Sequence, residues 1–314
     1  MVRSRTANAT MQDPLATGYE RRVGRRDAMR CTWTGGTLLA GCAPVTVRPG
    51  GSTMEILSEN AEQGVVEQRF DLHVDGATVP GIRWRPEGVA GSHPTILIGH
   101  GGTQHKRVAN VLGLARRFVR HLGYSAVALD APGHGERNAD PQAGEKRRQA
   151  IQARIAKRRR GEAIDLDPEE AKEWVERTTK GISEWRALLD TLDAEGRGSR
   201  YGYWGVSMGT AIGLPFVASE PRVRAAVLGL AGLGNRPGSE RFEQSARAVT
   251  IPVLLVLQWN DELVGQKSGL ALFDTIGSSE KTLHVNPGGH VEIPLFERDA
   301  YEEFFLRHLG PAEG

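Results

Sequence analysis

Six short apolar runs, separated by stretches of helical periodicity, constrain this chain more than any other feature. They fall at residues 95–98, 125–129, 201–206, 225–230, 253–257 and 281–285. Strands that are apolar along their whole length must be covered on both faces. The intervening segments supply the cover. Residues 107–122 place Val111, Leu112, Leu114, Ala115, Phe118, Val119 and Leu122 on one helical face, with Arg116, Arg117 and Arg120 outward and Gly123 as the stop. A long helix carries Trp174, Ile182, Trp185, Leu188, Leu189 and Leu192 as its buried stripe. A terminal helix over about 294–309 buries Leu295, Tyr301, Phe304, Phe305 and Leu309. Ahead of the first run, Phe70, Leu72 and Val74 alternate with polar residues. The Asp75-Gly76 pair then signals a hairpin into residues 79–85. The expected architecture is a three-layer α/β fold, with a mostly parallel sheet, right-handed crossovers and helices on both faces.

The N-terminal stretch reads differently. Residues 1–53 hold eight Arg against three Asp/Glu, a charge of +5, while the whole chain of 314 residues carries +2. The body is therefore mildly acidic, and no nucleic-acid partner is expected. Both cysteines, Cys31 and Cys42, lie in this stretch, so a cysteine nucleophile or thiolate metal site in the body is excluded. We read 1–53 as a disordered or non-native leader, with Met54 near the true start and the domain covering 54–314, in a cytoplasmic protein. The alternative rests on Leu38-Leu39-Ala40-Gly41-Cys42, which resembles a lipobox and would make the chain an exported lipoprotein tethered through Cys42. No run of eighteen apolar residues is present, so no membrane span is expected.

Gly205-Val206-Ser207-Met208-Gly209 lies between a strand and the start of a helix. A sharp strand-to-helix turn holds such a serine in a strained backbone, and the helix N-terminus offers free N–H groups beside it. A serine hydroxyl needs a base to take its proton, and imidazole oriented by a carboxylate supplies one near neutral pH. Asp261 follows the run at 253–257, and His290 follows that at 281–285, both past the C-terminal strand ends where open α/β sheets place their sites. Of the adjacent Asp261 and Glu262, Asp261 is the expected partner of His290, with Glu262 solvated or hydrogen-bonded in the loop. The loop after the first run, His100-Gly101-Gly102-Thr103, supplies the second oxyanion donor. The expected pair is Gly102 N–H and Met208 N–H, with Gly101 taking that place if the register slips by one. His100 is read as an anchor of this loop. His134, Trp204 and Trp259 are candidates for the pocket wall.

These pieces, with Asp130-Ala131-Pro132-Gly133-His134-Gly135 and Gly289-His290, resemble the α/β-hydrolase superfamily over residues 68–309. Within it the chain is similar to serine esterases near the dienelactone-hydrolase-like and acyl-peptidase-like branches. True dienelactone hydrolases carry a cysteine nucleophile where this chain has Ser207, and aspartate at that position would have marked a dehalogenase or epoxide hydrolase. The resemblance implies hydrolysis of a small carboxylic ester through an acyl-enzyme, with neither cofactor nor metal. Thioesterase, lactonase, peptidase and C–C hydrolase chemistry remain open on the same residues, as does a non-enzymatic binding role. Residues 138–168 interrupt the α/β rhythm with a run of Lys and Arg followed by acids. Ile151 and Ile155, four apart, are placed to hold a helix on the body. The segment is either a solvated helix and loop or a cap that shapes the acyl or alcohol pocket.

Overall fold

A computed structural model describes residues 51–89, 93–138, 140, 142–162, 168–196, 200–234 and 238–312. The leader, with Cys31 and Cys42, lies outside the described residues except at its end. Two tight hairpins begin the sheet, joining β1 (Thr53–Glu62), β2 (Val65–Val74) and β3 (Ala77–Pro86) in antiparallel register. Each turn has two residues at positive φ: Gln63 at 51° with Gly64 at 76°, and Asp75 at 49° with Gly76 at 75°. That backbone matches the right-handed twist of the flanking strands. Asp75-Gly76 announces its turn in the sequence, whereas Gln63-Gly64 is a weaker signal. The sheet therefore starts earlier than the alternation of Phe70, Leu72 and Val74 suggests. β1 shows no apolar period because none of its side chains is fully buried. It is an edge strand with Glu55, Glu59 and Glu62 along it and a bulge between Ile56 and Ser58, features that discourage pairing with another chain.

The six apolar runs form β4 (Thr95–Gly99), β5 (Ser125–Leu129), β6 (Tyr201–Val206), β7 (Val223–Gly229), β8 (Val253–Gln258) and β9 (Lys281–Asn286). The nine strands lie in the order β1-β2-β3-β5-β4-β6-β7-β8-β9, parallel from β5 to β9. The chain moves from β4 to one side for β5, then returns to the other side of β4 for β6. This reversal opens a crevice at the C-terminal ends of β4 and β6, where the His100 loop and Ser207 lie side by side.

The two faces have separate cores. On one, α1 (Ala109–Leu122) and α7 (Glu297–Leu309) pack Phe118, Tyr301 and Phe305 against Ile96, Ile98 and Val227. On the other are α3 (Pro168–Ala194), α4 (Met208–Val217), α5 (Ser239–Ala248) and α6 (Gln266–Thr275), with Trp185, Leu188, Ile212 and Phe216 over Leu97, Tyr203 and Leu228. Gly123, at φ 68°, ends α1 as expected. Leu295 does not join the core. The last helix starts at Glu297, and Leu295 stands 70% exposed on the preceding turn. Within the interrupting segment, α2 (Ala143–Arg159) forms and buries no side chain, while 139, 141 and 163–167 lie outside the described residues. Ile151 and Ile155 are half-buried on its inner face. Among the described residues, no helix is long and apolar enough to cross a membrane.

Candidate active site

The turn from β6 into α4 is built from close backbone contacts. Ser207 has φ 56° and ψ −114°, a conformation that costs a non-glycine residue about 1–3 kcal/mol. The surroundings hold it there. Ser207 N–H donates to Gly229 O at 2.9 Å, and the buried Thr210 hydroxyl lies 2.8 Å from Gly205 O and 2.7 Å from Gly229 O while accepting Gly229 N–H. Tyr203, fully buried beneath the turn, donates its hydroxyl to Gly209 O at 2.7 Å. A Cβ on Gly209 would fall 2.3 Å from Gly99 O, so only glycine lets α4 approach β4 this closely.

Three side chains from three loops then meet. His290 Nε2 lies 2.9 Å from Ser207 Oγ, and His290 Nδ1 lies 2.8 Å from Asp261 Oδ2. Asp261 and His290 are buried, and Ser207 is half-exposed. Burial alone would raise the Asp261 carboxyl. The bond from His290 and its charge, with the N–H groups of Val264 and Leu263 on Oδ1, outweigh it and hold the group below the usual carboxylate range.

On the other side of Ser207, a Cβ placed on Gly102 would stand 3.7 Å from Met208 Cβ, which brings these two residues together. Gly101 N–H is taken by Gln104 Oε1 at 3.2 Å, so Gly101 is not the free donor. Among the described residues, no hydrogen-bond acceptor takes Gly102 N–H. Met208 N–H belongs to the first turn of α4, where the helix supplies no acceptor.

Among solved structures, the chain is similar to a cold-adapted esterase from an Arctic intertidal metagenomic library, solved with polyethylene glycol bound. The two are 38% identical over 80% of this chain and 97% of that one, with a TM-score of 0.66. The chain belongs to the α/β-hydrolase-fold esterases. More distant members share the fold. They include acetyl xylan esterase 1 from Thermoanaerobacterium sp., 18% identical over 81% of this chain and 87% of that one, with a TM-score of 0.59. A dienelactone hydrolase from Anabaena variabilis is 15% identical over 78% and 99%, with a TM-score of 0.54. No protein-family model and no curated protein matches the sequence.

The esterase anchors its Gly101-Gly102 loop with two histidines. His100 Nδ1 donates to Gly101 O at 2.8 Å and Nε2 accepts Ala131 N–H at 3.0 Å, which fixes a neutral tautomer. Burial pushes this imidazole down to about 4. His134 lies 2.8 Å from Gly102 O and 3.0 Å from Pro132 O, and burial lowers it too. It is therefore an internal brace and does not line an open pocket. Beneath both, the buried Lys106 ammonium bonds Asp130 Oδ2 at 2.6 Å and Glu136 Oε1 at 2.7 Å, and Lys106 N–H reaches Asp130 Oδ1. This cluster ties the β4 loop to the β5 loop.

The expectation for Trp204 does not hold. Trp204 faces the core beside Tyr301, on the α1 and α7 side of the sheet. Trp259 is 46% exposed and tied to the esterase chiefly by its backbone, through Asn286 O and Gln266. Lys106 and Thr210 carry no sequence signal as site residues, and Glu262, expected solvated or hydrogen-bonded in its loop, accepts His290 N–H. Their partners lie elsewhere in the chain, Asp130 and Glu136 for Lys106, Gly229 for Thr210 and His290 for Glu262, and no local pattern marks such contacts.

Proposed function

We propose that this esterase hydrolyses small carboxylic esters by a serine acyl-enzyme mechanism, with Ser207 as nucleophile, His290 as general base and then acid, and Asp261 as its orienting partner. The observation that carries this reading is the continuous hydrogen-bond chain from Asp261 through His290 to Ser207, beside the Gly102 and Met208 N–H groups. Ser207 Oγ attacks the ester carbonyl carbon as His290 Nε2 takes its proton. The carbonyl oxygen gains negative charge and is met by the two backbone donors, which are already in place and need no reorganisation. Asp261, kept ionised, stabilises the imidazolium and fixes the tautomer that leaves Nε2 free to accept. The imidazolium then protonates the departing alkoxide. Water enters, gives a proton to His290 and attacks the acyl-serine; as the acid leaves, His290 returns that proton to Ser207 Oγ. No metal or cofactor is required by any step.

Treatment of the whole protein with a fluorophosphonate, followed by intact-mass and peptide analysis, tests this assignment. One phosphonyl adduct is expected on Ser207, absent from Ser207→Ala, with loss of activity on a panel of aryl and alkyl esters. A modified but fully active protein would overturn it. Thioesters and lactones in the same panel decide which carbonyl class is preferred.

A further inference from the structure

Asp261 fixes the His290 ring at Nδ1, but the backbone carrying that ring needs its own anchor. The residues before it, Pro287-Gly288-Gly289, form a bend with no regular ladder. Two carboxylates grip this bend. Glu262 Oε2 accepts His290 N–H at 3.0 Å, and Glu292 Oε2 accepts Gly289 N–H at 2.8 Å. A Cβ on Gly289 would fall 3.0 Å from Glu262 Oε2 and 3.5 Å from Glu292 Oε2, so the bare glycine lets both close on the loop.

We propose that Glu262 is a positioning residue for His290: its carboxylate holds the histidine's backbone in line with Ser207, and its charge favours the imidazolium formed when Ser207 gives up its proton. The proposal rests on His290 being the base. A hydrogen bond to an ionised acceptor is roughly twice as strong as a neutral one, which suits it to fixing a glycine-rich loop. Asp261 and Glu262 then divide the work within one turn after β8, one on the ring and the other on the backbone. Among the described residues, the charged and titratable groups that meet this loop are Asp261 and Glu262 from the β8 turn, Glu292 from the loop itself and, through Glu262, Arg159 from α2. Across the site, His100 and His134 are both bonded to backbone groups. Arg159 Nη2 stands 3.9 Å from Glu262 Oε1 but is 72% exposed, so its screening of Glu262 is weak.

Two substitutions separate the effects. Glu262→Gln keeps an acceptor for His290 N–H and removes the charge, while Glu262→Ala removes both. The readouts are the pH profile of kcat/KM on an aryl ester, the melting temperature, and the His290 titration followed by NMR of the histidine-labelled protein, which needs no turnover. In both variants the acid limb and the His290 midpoint should move down by about 0.5 pH unit. Plateau kcat should stay within about 3-fold for Glu262→Gln and fall about 10- to 100-fold for Glu262→Ala, with KM little changed. An unmoved His290 midpoint in Glu262→Gln, or equal kcat in the two variants, overturns the proposal. A merely structural role would lower the melting temperature and move neither limb nor midpoint. If the wild type hydrolyses no ester, the function reading fails while the NMR titration still tests the effect on His290.

Discussion

Lys106 and Arg154 both meet a carboxylate within 3 Å, yet they stabilise very different things. Lys106 pairs with Asp130 at 2.6 Å with both side chains out of water, 2% and 0% exposed. Arg154 on α2 pairs with Glu170 at 2.9 Å with 37% and 59% exposed. The first sits under the loops that frame Ser207. The second holds a helix that buries no side chain and is otherwise tied by Arg147 to Gly133 O and by the long contact of Arg159 with Glu262. The groups proposed to carry the chemistry hang on buried, fully bonded supports, while α2 is attached by solvated ion pairs, one bond to a backbone carbonyl and two half-buried isoleucines. Such a segment can change without disturbing the bonds between Ser207, His290 and Asp261.

The comparison breaks first if the buried side is not where activity resides. Ser207→Ala should fold normally and lose on the order of 10⁶ in kcat, and Asp261→Asn about 10⁴, through the wrong tautomer of His290. Both are read from steady-state kinetics on p-nitrophenyl esters beside a melting curve. An Asp261→Asn enzyme with near-normal kcat would move the orienting acid elsewhere.

The next largest effect concerns stability. Lys106→Met leaves Asp130 ionised and buried without its ammonium, and unfolding in denaturant should show a loss of about 3–5 kcal/mol. Arg154→Ala should cost less than about 1 kcal/mol. Equal losses would erase the distinction between the two regions.

His100 gives the buried side a pH signature. Its pKa is pushed down to about 4 from 6.5, chiefly by burial. The unfolded chain then binds more protons than the folded one between these values, so this contribution is complete above about pH 6.5 and is lost as pH falls toward 4. It amounts to roughly 3 kcal/mol by linkage. His100→Gln should flatten the slope of unfolding free energy across that window, measured at several pH values. Asp261 acts in the same direction at lower pH, since its pKa is lowered and its contribution disappears as the carboxylate protonates.

A small effect on stability should come from the segment carrying α2. Replacing residues 142–162 with a Gly-Ser linker should leave the melting temperature within a few degrees and change kcat/KM unequally for acetyl, butyryl and longer esters. A uniform loss for every ester, with a large fall in melting temperature, would make α2 part of the scaffold.

Much of the molecule is legible without coordinates because its signals are local. Continuous apolar runs and a 3.6-residue period mark β4 to β9 and the core-facing helices between them, α2 excepted, and Asp75-Gly76 marks its turn. The strand-to-helix serine and the two polar loops after β8 and β9 are legible for the same reason. A parallel sheet brings successive C-terminal strand ends to one edge, so residues 83 positions apart, Ser207 and His290, meet there. Other features depend on which side of a packed layer a residue faces. Trp204 is drawn into the core beside Tyr301, Leu295 is left in solvent by a helix that starts two residues later, and β1 shows no apolar period because none of its side chains is fully buried. That Gly101 N–H is taken depends on a single bond to Gln104 Oε1, and the grip of Glu262 on His290 on a contact across 28 residues. Periodicity reports how a segment buries its own surface. Which donor remains free, and which carboxylate meets which N–H, is fixed only when separate loops are brought within 3 Å of one another.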